Sequence, residues 1–331
     1  MTINRNSSEN YVDIGYSPSI DGLRAIAVSS VVLYHAYRYL IPSGLIGVDI
    51  FFVISGFVVS ASVLSRTFSS PNHLFSFFFA RRILRIVPAL LVCVLLTTAA
   101  TIAFIPIAYL SDTNLNTALA SLFGMSNFVL YGATDNYFAP RAELNPFTHT
   151  WSLAVEEQFY LLFPLITATL LFACPRWWSH RTAILLWSTG TAASVIVATI
   201  QSRSDPVAAF YLMPARFWEL GLGVVTYLFL PRFLPVLCGI SRQAIAGFSA
   251  AGLAGLAVSL FFAQSWSANY PFPAVAPAAI ATAALLVAVV AQPNAKFARW
   301  LAGPTIVYVG RISYSLYLWH CLLYTSPSPR D

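Results

Sequence analysis

Ile20-Asp21-Gly22-Leu23-Arg24-Ala25-Ile26-Ala27-Val28-Ser29-Ser30-Val31-Val32-Leu33-Tyr34-His35-Ala36-Tyr37-Arg38-Tyr39-Leu40 is long enough and apolar enough for one membrane span, yet it holds an imidazole. An ionisable side chain inside a span is costly, which makes His35 a functional residue by default. Eleven positions separate it from Arg24. At about 100° per residue that is three turns plus roughly 20°, so the two side chains share one helix face about 16 Å apart along the axis. Arg24 can hold an anion at the membrane surface while His35 takes a proton inside.

The rest of the chain has the same character. Of 331 residues 58% are hydrophobic and 9% charged, and mean hydropathy is +0.72. Soluble domains carry about 25% charged residues, so the expected fold is all-α, a polytopic transmembrane bundle. The net charge is +6, and all eighteen basic residues are arginine save Lys296. That balance implies a basic cytoplasmic face toward anionic lipids or ligands, and not nucleic acid. Cys93, Cys174, Cys238 and Cys321 lie in or beside apolar segments without paired spacing, which reads as small membrane-buried packers and not as a disulfide framework. Residues 1–19 are polar, with no apolar h-region, and no small-residue cleavage site follows Leu40, so the first segment reads as a retained anchor.

Nine spans are expected: Ile20–Leu40, Leu45–Leu64, Ile83–Ile107, Leu153–Ala173, Ala183–Ile200, Val207–Leu230, Gln243–Ala263, Pro273–Ala291 and Thr305–Leu323. With the N-terminus cytoplasmic, the inner segments collect Arg5, Arg66, Arg81, Arg82, Arg85, Arg176, Arg181, Arg232, Arg242, Lys296, Arg299 and Arg311. The outer ones collect only Arg38, Arg141 and Arg203. Positive charge marks the inside. The connection Ala108–Thr150 carries Asp112, Asp135, Arg141 and Glu143, and Leu115–Tyr131 within it reads as an interfacial or re-entrant helix. Residues 20–323 form one transmembrane domain, with no internal repeat. The tail, 324–331, reads as a truncation or a foreign scar.

Five further groups of residues can carry chemistry. In Gly47-Val-Asp49-Ile-Phe51-Phe52-Val-Ile-Ser55-Gly56-Phe57, Asp49 is either an outer-end cap or partner of Arg38, or a carboxylate facing His35 across a hairpin. A carboxylate beside imidazole fixes its tautomer and raises its basicity. Arg82 and Arg85, at i and i+3, are either lipid-phosphate anchors or a phosphate clamp, since guanidinium grips phosphate bidentately. Glu156 and Glu157 face about 100° apart, and Glu156 aligns with Ser152 at i−4 and Tyr160 at i+4 in one polar stripe. His149 and Trp151 precede that stripe. Arg216 and Glu219 are spaced for an intrahelical pair. Ser313-Tyr314-Ser315-Leu-Tyr317-Leu-Trp319-His320 is either an interfacial belt or part of a site. No metal-ligand spacing and no G-x-S-x-G elbow occurs.

In order, Asp21-Gly-Leu-Arg24…His35, Gly47-Val-Asp49…Phe57, Arg81-Arg82-x-x-Arg85-x-x-Pro88, Trp151-Ser152-Leu-x-x-Glu156-Glu157-Gln-Phe159-Tyr160 and Ser313…His320 resemble the membrane-embedded acyltransferase-3 family over nearly the whole chain. The resemblance implies ten or so helices in the plasma (inner) membrane, hence one or more beyond His320. It also implies transfer of an acyl group, usually acetyl, from cytoplasmic acyl-CoA (acetyl-CoA) to a hydroxyl of an extracytoplasmic glycan or lipid-linked saccharide. On that reading the donor is a substrate and no cofactor is bound permanently. Arg24, Arg82 and Arg85 would hold the CoA phosphates. His35 would act as base or carry the acyl group, with Asp49 or Glu156 orienting it or holding the acceptor. His149, Trp151, Ser152 and Tyr160 would line the acceptor site. The rival reading is a proton-coupled secondary transporter or flippase with His35, Asp49 and Glu156 as its relay.

Overall fold

A computed structural model describes residues 11–37, 39–104, 111–133, 145–177, 179–266 and 271–320. Arg5, Arg38, Asp135, Arg141, Glu143, Cys321 and the tail lie outside the described residues, as does the Cys238 side chain. Among the described residues there is no strand. The helices are α1 (Pro18–Ala36), α2 (Gly47–Leu64), α3 (Pro71–Phe104), α4 (Asp112–Ser121), α5 (Ser126–Ala133), α6 (Thr150–Ala168), α7 (His180–Ser204), α8 (Pro206–Tyr211), α9 (Met213–Gly239), α10 (Arg242–Trp266), α11 (Ala276–Ala291), α12 (Lys296–Leu301), α13 (Pro304–Arg311) and α14 (Ser313–Trp319).

Six helical stretches are long and apolar enough to cross a membrane: Gly44–Leu64, Pro71–Phe104, Thr150–Ala173, His180–Ser204, Pro206–Leu237 and Gln243–Ala263. Each matches an expected span. Of the other three, α1 is a 19-residue helix whose apolar run is diluted by Asp21, Arg24, three serines and His35. The apolar α11 has only 16 residues. Thr305–Leu323 is not one helix over its described part. It breaks at Ile312, whose backbone leaves the helical basin (φ −91°, ψ 5°), so α13 and α14 are separate pieces. The break follows Gly310, where any Cβ would strike the Asp21 carbonyl of α1. The connection before α6 carries two short helices, α4 and α5, joined at Gly124 (φ 67°), and neither is long enough to span.

α2 is the hub. Phe52, Val53, Ile54, Phe57 and Val59 are buried, and it packs on α1, α6, α9 and α11. α2 and α9 cross backbone to backbone: a Cβ on Gly56 would collide with the Leu220 carbonyl, and one on Gly223 with that of Val53. Small residues at a crossing permit this approach, which dispersion then rewards. Leu84, Leu95, Leu96 and Ile102 of α3, Leu161 and Leu165 of α6, and Ile196 and Ile200 of α7 face outward, a surface suited to lipid. Cys93 is buried, with Sγ 3.5 Å from the Leu318 carbonyl oxygen, whereas Cys174 is exposed because the helix ends there in a π turn.

Loop contacts sort the helix ends into two sets. At one end Ser19 Oγ donates to the Ala298 carbonyl (2.9 Å), Tyr227 Oη to the Val12 carbonyl (2.9 Å), and the Tyr11 and His180 rings lie 5.2 Å apart. Burial there pushes the Tyr11 hydroxyl up to about 12. At the other, the Ser43 amide donates to the Leu260 carbonyl (2.9 Å) and Asn127 to that of Tyr211 (3.1 Å). Asp205 caps α8 through the Ala208 amide (2.9 Å) and accepts from Tyr131 (2.8 Å), and these bonds hold its carboxyl below the usual range.

Candidate functional site

A cavity of about 650 Å³, open solvent included, lies between α1, α2, α3, α6 and α14. Arg24, Arg82 and Arg85 line it, with Ser55, Ser152, Glu156, Tyr160, Tyr314 and Tyr317. Arg24 is held by Asp21 (3.0 Å), one turn back on α1, and lies within electrostatic reach of both other guanidiniums. Arg82 donates to Tyr160 Oη (3.0 Å) and stacks over that ring at 4.3 Å. Neither Arg82 nor Arg85 has a carboxylate partner among the described residues. Three cations against two carboxylates, Glu156 on the wall and Asp21 beside Arg24, leave the cavity net positive, which suits a polyanion.

Glu156 is the acceptor at the centre. Ser55 and Tyr160 both donate to its Oε1. The expected stripe Ser152–Glu156–Tyr160 does line one wall. Glu157 points elsewhere, against Gly124 of the α4–α5 turn.

Beyond Tyr317 lies a second group. Tyr317 Oη bonds Ser152 Oγ (2.6 Å) and donates to the His149 carbonyl (3.0 Å), and its ring sits 5.3 Å from His320 and 5.8 Å from His149. His320 in turn stacks edge-on to His35 (4.8 Å) and His149 (5.7 Å). His35 Nδ1 meets the Val31 carbonyl at 2.9 Å and His320 Nδ1 that of Tyr317 at 2.6 Å. A carbonyl can only accept, so each Nδ1 carries hydrogen, and Nε2 is the basic nitrogen of either neutral ring. No set of His, Cys, Asp and Glu among the described residues has the arrangement of a metal site.

The structure therefore divides the expected site residues into three places. Arg24, Arg82, Arg85, Ser152, Glu156 and Tyr160 share the cavity. His35 and His149 stand behind Tyr317. Asp49 does not serve His35: it pairs with Arg216 (2.6 Å), which also pairs with Glu219 (3.2 Å), all but fully buried. Trp151 joins that ion group, its ring 5.5 Å from the Arg216 guanidinium, and does not line the cavity. Both departures have one cause. α9 lies against α2, so the nearest cation to Asp49 comes from 167 residues away and not from the adjacent hairpin. Tyr314, Tyr317 and His320 gain definite places; each i, i+3 step makes the pair neighbours on the helix surface, so Tyr317 adjoins both Tyr314 and His320.

Residues 17–326 match the family model described as an acyltransferase domain. The chain belongs to the acyltransferase-3 family. It is 31% identical over 313 residues to O-acetyltransferase OatA of Staphylococcus aureus (strain NCTC 8325 / PS 47), a match covering 92% of this chain and 50% of that protein. A putative O-acetyltransferase, SAS0844, of Staphylococcus aureus (strain MSSA476) is 29% identical over 320 residues, covering 94% of this chain and 51% of the relative. The chain thus spans about half the length of the curated relatives it matches. No solved structure matches it.

Proposed function

We propose that the protein is an integral-membrane O-acyltransferase of the plasma membrane, moving an acetyl group from cytoplasmic acetyl-CoA to a hydroxyl of an extracytoplasmic glycan or lipid-linked saccharide. The observation that carries this is a three-arginine cavity whose wall residues Ser152 and Tyr317 contact the His35–His149–His320 group. The basic end is taken as cytoplasmic from the charge bias. CoA phosphates bind Arg24, Arg82 and Arg85 there, and the pantetheine arm extends inward along Glu156 and Tyr160. His35 Nε2 removes the proton of the acceptor hydroxyl as its oxygen attacks the thioester carbonyl. The C–S bond breaks, and the leaving thiolate takes up a proton. Direct transfer and an acyl-histidine step both fit this arrangement.

Against the transporter reading, Asp49 is bonded to Arg216, and Glu156 accepts from Ser55 and Tyr160.

The experiment is acetyl transfer from labelled acetyl-CoA in inside-out vesicles carrying the acceptor. His35→Ala is expected to abolish transfer in protein that still inserts, and Arg82→Ala with Arg85→Ala to raise the KM for the donor. Full activity of His35→Ala, or substrate uptake driven by a proton gradient without acyl-CoA, overturns the reading.

A further inference from the structure

A second hollow, of about 850 Å³, lies beside the first. On α2 the first cavity uses Val48, Phe51, Phe52 and Ser55, and the second continues the same face with Val58, Ala61, Ser62 and Ser65. Ser55 to Ser62 is about 10 Å of helix. On α3 the two hollows meet at neighbouring residues, Arg81 for the second and Arg82 for the first. From the arginine cavity, the groove lies toward the basic end along α2.

Its chemistry is specific. The guanidinium carbon of Arg66 lies 5.0 Å from the centroid of Phe77, and that of Arg81 lies 4.5 Å from the same ring. Two cations thus share one aromatic ring, and neither has a carboxylate partner among the described residues. With Asp13 the one carboxylate lining the hollow, the two guanidiniums leave its rim net positive, a charge suited to an anion. The floor is apolar, from Ile14, Ile20, Phe57, Val58 and Ala61. The far wall is the turn Asp13–Tyr16, folded back by Gly15 (φ 61°) and by the bond from the Gly15 amide to Asp13 Oδ1 (3.0 Å). An apolar floor suits a planar ring, and two planar forks at the rim suit a phosphate monoester.

We propose that this groove, rimmed by Arg66 and Arg81, binds the adenosine 3′-phosphate end of the donor, while Arg24, Arg82 and Arg85 keep the diphosphate. The assignment rests on the acyl-CoA reading above. It predicts an isolated affinity for adenosine 3′,5′-bisphosphate, which carries no acyl group.

The test uses the full chain in lipid nanodiscs. Calorimetry with adenosine 3′,5′-bisphosphate should give binding that weakens about tenfold or more in Arg66→Ala/Arg81→Ala, the scale of one charge-assisted hydrogen bond. In transfer assays the wild type should prefer acetyl-CoA over its 3′-dephospho form, and the double variant should use the two equally. Bisphosphate binding that depends on both arginines, with no use of acetyl-CoA, upholds the groove and sinks the donor reading. Turnover of acetyl-CoA with bisphosphate affinity absent, or unchanged in the variant, overturns the groove and leaves the donor reading standing. Arginine-dependent retention of phosphatidylglycerol over phosphatidylcholine, with no bisphosphate binding, gives the groove to a lipid headgroup and also overturns the proposal.

Discussion

Arg216 carries more than any other single side chain. It is 1% exposed, bonded to Asp49 and paired with Glu219, with the rings of Phe52 and Trp151 within 5.6 Å. One cation serves two carboxylates, so the charges are not interchangeable. Arg216→Met leaves two buried carboxylates facing each other and should cost about 3–5 kcal/mol. Asp49→Asn leaves a balanced pair and should cost markedly less. Thermal unfolding of the detergent-solubilised variants reads the difference; equal losses would mean that the group is not electrostatically organised. Glu156 and Glu157 make a similar contrast. Glu156→Gln disturbs the acceptor shared by Ser55 and Tyr160 and should lower turnover by about 10²-fold, the range of a lost proton-handling group. Glu157→Gln, at the α4–α5 turn, should leave turnover within about threefold of wild type, since the half-buried Glu157 does not line the cavity. Of the two glutamates, the sequence periodicity selects the one that lines the cavity, because i±4 spacing is a property of one helix. Asp49 shows the limit of such reasoning. Its partner depends on which helix lies alongside, and no local spacing encodes that.

At the scale of elements, glycine decides how α2 meets α9. A side chain at Gly56 must displace the Leu220 carbonyl, which belongs to a rigid helix and cannot rotate away. Gly56→Val should therefore destabilise the protein by about 1–3 kcal/mol, the cost of overpacking. It should also disturb the Asp49–Arg216 bond made across the same interface. Gly132→Ala, where a Cβ meets nothing, is the control and should be neutral. Equal behaviour of the two variants would refute the close crossing. The sequence shows that these segments are helices and roughly where they run, since apolar length is a local signal. It does not show the break at Ile312, because a span tolerates a Gly-Arg pair such as Gly310-Arg311 without breaking; contact between Gly310 and α1 is a tertiary demand. The division of labour inside α14 follows from that break. A free-standing short helix can turn Tyr314 and Tyr317 to the cavity and set His320 beside His35.

For the whole molecule, the question is which end faces the cytoplasm. The alternating course of the helices puts Arg66, Arg81, Arg176, Arg181, Arg232 and Lys296 at the end where α1 begins and α12 lies, and α4, α5 and α8 at the other. A basic end retained on the inner side is the familiar outcome of insertion. The donor must also be reached from that end if the arginine cavity and its neighbouring groove hold acyl-CoA. Both arguments give the same side, and a labelling experiment checks it. Cys174 is exposed at the basic end. With Cys93, Cys238 and Cys321 replaced by serine, a membrane-impermeant maleimide should react with Cys174 in inside-out vesicles and not in right-side-out ones. Asp112→Cys, exposed at the start of α4, in a background also lacking Cys174, should show the reverse. The opposite pattern at both positions would turn the molecule over. The arginine cavity would then face away from cytoplasmic acyl-CoA, and transfer toward an external hydroxyl would lose its direction.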